Sequence, residues 1–203
     1  MVALLPKHWS RMNYLNLFQM PTPMKITGRS STITNAFVNS IIPVIYPTEE
    51  QVREALGILC MDQDSMCCSY CGATSTEWDH LRPIVNDKKP TGYISEIHNL
   101  VPACGKCNQS KGNTAWRQWM FSAAKLSPKS RQIIDIDARA ERLKSYENWG
   151  IPVVVDFETI VGHDNWRQHW DNWKTIQVTM QDAHDLPIES IEWWQKSILG
   201  NNI

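Results

Sequence analysis

The stretch Cys68-Ser69-Tyr70-Cys71-Gly72, then Glu77-Trp78-Asp79-His80-Leu81-Arg82-Pro83 and His98-Asn99-Leu100, closing on Cys104-Gly105-Lys106-Cys107-Asn108-Gln109-Ser110-Lys111-Gly112-Asn113, decides how the rest of the chain is read. Its two Cys-x-x-Cys pairs, Cys68/Cys71 and Cys104/Cys107, have the spacing of a tetrahedral zinc site: each tight turn aims two thiolates at one ion, and the two turns together close the shell. Cys67 is an alternative to Cys68 as ligand, at the loss of the Cys-x-x-Cys-Gly turn that Gly72 completes with a positive φ. Between the pairs stand an acid-imidazole dyad, Asp79-His80, and an Asn, Asn99; a second Asn, Asn108, follows the last Cys directly.

At these residues the chain resembles the zinc-bearing members of the HNH endonuclease family, with metal pairs, dyad and both Asn residues in family order. The resemblance implies a treble-clef-like ββα-metal finger, two strands and a helix around a catalytic divalent ion, and so an α+β fold class: a zinc-finger core embedded in a mainly helical chain. It further implies that Asn99 braces, through backbone hydrogen bonds, the loop that carries the base. One departure is plain. The last letter of HNH is here Asn108, not His. A carboxylate oxygen from Asp79 and an amide oxygen from Asn108 suit a hard ion such as Mg2+ or Mn2+, whereas imidazole suits softer metals.

The chemistry of phosphodiester hydrolysis assigns the remaining roles. A water must be activated, charge on phosphorus stabilised and the leaving oxygen assisted. His80 is the candidate general base, since imidazole titrates near neutrality. In a strand the side chains of Asp79 and His80 point to opposite sides, so Asp79 binds the ion while His80 faces the water. Arg82, Lys106, Lys111 and Arg117 are candidate contacts to the nucleic-acid backbone. His98, next to Asn99, reads as a structural or solvated His. A four-Cys knuckle can also be only a folding staple in a module with little core.

Composition bounds the rest. The 203 residues are 42% hydrophobic, enough for a buried core and against broad disorder. Net charge is −1, low for a protein whose affinity would come from phosphates. The charge is segregated, however: residues 101–150 hold nine Lys/Arg against four Asp/Glu, and residues 151–203 three against eight. A basic face is therefore compatible with a near-neutral total. Most of the ten Trp lie at or beyond Trp116; they read as core, with a dimer interface or base stacking as the alternatives. Six Cys without a secretory leader read as a reducing, prokaryotic cytoplasmic compartment rather than a disulfide framework. No apolar run reaches membrane-spanning length.

Along the chain, residues 1–30 read as an irregular basic segment, and Ser31–Ile42 as a short helix ended by Pro43. Thr48-Glu49-Glu50-Gln51 is a capping box opening an amphipathic helix to Leu59. Thr76–His80 predicts the first strand, and Gly105 the start of the motif helix. Trp116, Met120 and Ala124 continue a helical period to Lys125. Ser127-Pro128 predicts the N-cap and N1 of a helix running to Trp149, with Gly150 as its stop. Ile151–Phe157 reads as β-like. Trp166, Trp170 and Trp173 form a core stripe, and Leu186-Pro187 predicts a break before a last helix over Ile188–Leu199.

The organisation expected is an N-terminal arm and short helix over residues 1–47, the nuclease module over 48–125, and a helical region over 126–203 for recognition, dimerisation or both. The function expected is a metal-dependent endonuclease acting on double-stranded DNA, of type II restriction character and homodimeric. The competing readings are a phage-defence effector or nicking, homing-type HNH enzyme, and a zinc-dependent nucleic-acid-binding module without catalysis.

Overall fold

A computed structural model describes residues 24–74 and 77–200. Of the irregular basic segment read at residues 1–30, residues 1–23, with Lys7 and Arg11, lie outside the described residues, and the remainder holds a 3-10 turn at Ile26–Arg29 instead of irregular chain. The described chain divides into a larger unit, Ser30–Gln177, and a second unit to which residues 24–29 and 178–200 belong.

In the larger unit the first helix, α1, covers Ser30–Asn39, buries Thr34 and Val38, and is followed by buried Ile42. The buried face thus falls one residue beyond the Ile33, Phe37, Ile41 stripe, which is only partly covered. Helix α2 (Glu49–Ile58) starts on the expected capping box: Thr48 accepts from the Gln51 N–H at 3.2 Å and Gln51 accepts from the Thr48 N–H at 2.9 Å. Strand β1 (Glu77–His80) is followed by a hairpin of β2 (Val85–Asn86) and β3 (Lys89–Pro90), whose two tip residues, Asp87 and Lys88, take φ of 48° and 64°. A 3-10 turn at Ile97–Asn99 leads into β4 (Leu100–Ala103), which pairs antiparallel with β1 so that Asp79 faces Val101 and His80 faces Leu100. Helix α3 (Gly105–Lys111) follows with Cys104 at its N-cap. Two strands and a helix in this order make the ββα-metal core of an α+β chain whose flanks are helical.

Downstream, the helix expected from Trp116 to Lys125 stops early. Helix α4 is Trp116–Met120, and Ala124 lies beyond it. Ser127 does cap a turn, accepting from the Ser130 N–H at 3.2 Å, but Gln132 takes φ 56° and ends it. Helix α5 therefore begins at Ile136, not Ser127, and runs to Trp149. Gly150 ends it, as expected, with extended backbone, and a Cβ there would lie 2.1 Å from the His98 ring. Ile151–Phe157 forms only one bridge, Val154 to Tyr93, before α6 (Phe157–Val161). The last helix, α7 (His163–Gly200), is continuous through Leu186-Pro187, where a break was expected. A proline removes one backbone N–H bond from a helix but does not forbid it.

Two apolar cores hold the larger unit. One gathers Leu59, Tyr70, Leu81, Val101, Trp119 and Leu143 around the four-cysteine module. The other joins Val38 of α1, Ile84, Val85, Ile94, Phe157 and Trp170 of α7, with Trp166 and Trp173 packed against it, as the Trp stripe suggested. It seats α1 between the post-dyad loop and α7. Lys89 lies 3.6 Å above the Trp170 ring and pins the β2–β3 hairpin to the same face. Among the described residues no helix is long and apolar enough to cross a membrane.

Candidate active site and metal centre

The metal centre is built by two local turns. In the first, the Gly72 N–H donates to the Cys68 carbonyl at 2.8 Å and the Cys68 N–H to the Ala73 carbonyl at 2.7 Å. Gly72 holds φ 74°, the backbone conformation that favours glycine, and a Cβ there would sit 2.3 Å from the Arg139 guanidinium, which would have to move aside. The second turn is the start of α3, where Cys104 caps and Cys107 lies in the first turn. The sulfurs of Cys68, Cys71, Cys104 and Cys107 all lie within 4.8 Å of one another. Cys71 Sγ and Cys104 Sγ are 3.8 Å apart. A tetrahedral zinc with Zn–S near 2.3 Å sets its sulfurs about 3.8 Å apart, so the donor set fits. Cys68, not Cys67, is the fourth member; Cys67 instead bridges to Thr74. Hydrogen bonds among the crowded sulfurs, from Cys107 first, pull the Cys71 thiol well below its ordinary value. All six cysteines are free thiols in the structure.

The second centre lies where β1 meets α3. Asp79, His80 and Asn108 line one cleft of about 340 Å³. Asp79 is buried and both carboxylate oxygens already hold a partner: the Tyr70 hydroxyl donates to Oδ2 at 2.6 Å, and Lys111 Nζ lies 3.2 Å from Oδ1 and 3.1 Å from Oδ2. Burial pushes the Asp79 carboxyl up and the Lys111 ammonium down, and their mutual attraction opposes both shifts. His80 points the other way along the strand, with Nε2 at 2.7 Å from Ser95 Oγ. Burial, and then the nearby Lys111 charge, lower its imidazole to about 4, so the ring is neutral at neutral pH. Ser95 is itself fixed by backbone bonds to Pro43 and Ile45.

Asn99 is fully buried, and its carboxamide bonds both backbone groups of Arg82, accepting from the N–H at 2.8 Å and donating to the carbonyl at 3.1 Å. It thus ties β4 to the loop that leaves the dyad. Tyr146 of α5 holds the 3-10 turn that carries Asn99, donating to the Leu100 carbonyl at 2.6 Å and lying against that of Ile97.

The four cationic candidates separate. Lys106 and Arg117 are exposed. Lys111 is 2% exposed and paired with Asp79, and Arg82 spends its guanidinium on the Glu147 carbonyl at 2.9 Å and the His98 carbonyl at 3.2 Å. Neither presents its charge freely to a ligand, because Lys111 neutralises a buried carboxylate and Arg82 is held by two backbone carbonyls. His98 is structural, as read: it bonds Glu96 at 3.0 Å and lies 4.5 Å from the Trp149 ring. Because Lys111 is the countercharge of a buried carboxylate, Lys111→Met is expected to cost about 3–5 kcal/mol of stability, read from urea unfolding. A loss below about 1 kcal/mol would mean that the pair is as weak as an exposed one.

Several residues of the cleft escaped sequence reasoning. Asn35 and Asn39, one helical turn apart on α1, form a wall of the cleft, which also holds Gln109 and Asn113. Exposed Asn on a helix carries no local signal; only the packing of α1's opposite face, with Thr34 taking a bond from Trp173 Nε1 at 3.1 Å, turns them toward the dyad. Tyr70 and Ser95 were missed for a similar reason: each meets its partner through tertiary structure.

Residues 68–114 match the family model described as HNH endonuclease. Over 56 residues, 26% of this chain, the sequence is 39% identical to the CRISPR-associated endonuclease Cas9 of Corynebacterium diphtheriae, and the match spans 5% of that protein's length. No solved structure matches the chain.

Proposed function

We propose that the HNH endonuclease domain formed by residues 68–114 hydrolyses phosphodiester bonds of double-stranded DNA, with zinc on the four cysteines and a magnesium-class ion on Asp79 and Asn108. The observation that carries this reading is the convergence of Asp79, His80 and Asn108, from a strand and a helix, on one cleft. Carboxylate and amide oxygens are the donors a hard cation prefers, and two protein ligands leave room for waters and phosphate oxygens. Such an ion, when bound, supplies Lewis-acid stabilisation of charge on the phosphate. The chain's own residues do the rest. His80, neutral and held at Nε2 by Ser95, takes a proton from the attacking water on Nδ1 when Nε2–H donates to the serine. Asn99 holds the loop after the dyad so that the imidazole keeps its aim. Asp79 is oriented by Tyr70 before any ion arrives, and Oδ1, which meets Lys111 alone, keeps a lone pair for an ion.

We further propose a site-specific, restriction-type activity. Most of the chain lies outside the matched segment, room for recognition elements, and a net charge of −1 disfavours indiscriminate binding. Incubation of the purified protein with plasmid DNA and magnesium tests both layers. Discrete fragments support the site-specific enzyme. A smear or nicked circles keep the nuclease and remove the restriction character, and binding without any cleavage would leave a non-catalytic zinc module.

A further inference from the structure

The cleft that holds the dyad shares a wall with another. Pro83, three residues beyond His80, lines both the dyad cleft and a neighbouring one of about 430 Å³ whose polar lining is Arg82, Arg117, Lys144 and Glu147. Three cations face one carboxylate there. Arg82 and Glu147 are spoken for by each other, with Arg82 Nε 3.8 Å from the Glu147 carboxylate and its Nη2 on the Glu147 carbonyl. Two charges remain. Arg117 stands exposed, its guanidinium 5.9 Å from the Trp116 ring and 5.8 Å from Phe121, faces that hold it out as a rigid fork. The Lys144 side chain is 57% exposed, and its ion pair is a long surface contact to Glu141 at 3.9 Å, of the kind that binds weakly. Its backbone is nonetheless well fixed, because Leu143 beside it is fully buried and Tyr146, two residues on, bonds the Leu100 carbonyl.

We infer that this neighbouring cleft is a phosphate subsite, in which Arg117 and Lys144 hold a backbone phosphate adjacent to the one hydrolysed, the cut strand passing over Pro83 from one cleft to the other. The inference rests on the nuclease reading and extends it to residues of α4 and α5 that lie outside the matched segment 68–114. A phosphate is the ligand the chemistry selects. A guanidinium fork and an ammonium match its oxygens. The carboxamides that would read base edges lie in the dyad cleft rather than this one. Contiguity with the dyad cleft selects a polymer backbone over a free anion, since successive phosphates of one strand must occupy successive positions.

Two measurements test it. Binding of duplex DNA to the His80→Ala protein, followed against salt, should weaken for all sequences alike in Arg117→Ala and Lys144→Ala. Each substitution should make the log–log salt slope shallower by roughly 0.9, the worth of one lost phosphate contact on B-DNA. Both positions are solvent-exposed, and unchanged circular dichroism and melting will confirm the fold. In the second measurement the wild-type enzyme cuts end-labelled duplex carrying one neutral ethyl phosphotriester per molecule. Ethylation at a phosphate next to the cut should block cleavage, and this block should vanish in Lys144→Ala and Arg117→Ala while blocks elsewhere persist. An unchanged salt slope, or an interference pattern identical in all three proteins, would overturn the subsite. If the wild type cuts no DNA at all, the nuclease reading fails, and the salt slopes of binding then decide the subsite on their own.

Discussion

Removal of zinc is expected to unfold the 68–114 domain, not merely to slow a reaction. Cys68 and Cys107 are fully buried members of the same apolar core as Tyr70, Trp119 and Leu143, so the metal shell and the core are one object. Without an ion, four thiols within 4.8 Å of one another must share protons and desolvate whatever charge remains. Structural zinc in small modules contributes about 10–16 kcal/mol of apparent binding free energy at neutral pH, as much as the about 5–15 kcal/mol that holds a whole domain together. Purified protein should therefore carry about one zinc per chain, and Cys104→Ser or exhaustive chelation should collapse the domain. Trp119 is a built-in reporter: it packs edge-on to Tyr70, between the first two ligands, at 5.2 Å. Its fluorescence should shift as the metal leaves, together with the far-ultraviolet dichroism. Folded protein without zinc, or chelation that leaves both signals unchanged, would show that the four cysteines are not what stabilises the module.

How far the chain could be read in advance follows the range of the interactions. The capping box at Thr48–Gln51 and the paired cysteines are local, closed within one or two turns, and the chain folds there as its residues suggest. The Trp166, Trp170, Trp173 stripe was legible because helical periodicity alone puts three large apolar rings on one face. The errors occur where a correct local signal was extended too far. Ser127 does cap a turn, but a positive φ at Gln132 ends it before α5 begins at Ile136. Gly150 does stop α5, with extended backbone beside the His98 ring. Pro187 was read as a break in a helix that runs through it.

The candidate site divides in the same way. Asp79, His80 and Asn108 stand in a recognisable order, and the antiparallel register of β1 and β4 followed by α3 brings them to one cleft. Their supporting residues are invisible to spacing. Ser95 reaches His80 across a loop, Tyr70 reaches Asp79 from the knuckle, and Asn35 and Asn39 arrive on a helix that precedes the motif. Lys111 shows the limit most clearly. As an isolated lysine one turn after Asn108 it reads as a hand for phosphate, but packing makes it the buried partner of Asp79. Charge counts along the sequence cannot tell a solvated cation from one already spent.

That burial also dictates how the chemistry is to be tested. Replacing His80 by Ala is expected to lower cleavage by roughly two to four orders of magnitude, the usual worth of a general base, with zinc content and DNA binding retained. The ring is only partly buried and bonds one side chain, Ser95, so its loss leaves both cores intact. His80→Gln sharpens the experiment, since an amide can keep a hydrogen bond to Ser95 but cannot serve as the base. If Gln restores activity, the imidazole is there for geometry alone. Asn108→Ala should also abolish cleavage, but through the loss of an oxygen donor, so that raised magnesium restores part of it while His80→Ala stays inactive at any concentration. Asp79→Ala would be a poor companion, because it strands the Lys111 ammonium in the core and unfolding would imitate loss of function. The double substitution Asp79→Asn with Lys111→Met removes both charges together and keeps an acceptor for the Tyr70 hydroxyl, leaving a folded protein that lacks the carboxylate. It should bind DNA, fail to cut, and respond to magnesium less than Asn108→Ala does, since a full negative charge has gone from the site. Near-normal cutting by His80→Ala would place the proton acceptor elsewhere, and the mechanism built on Asp79, His80 and Asn108 would fall with it.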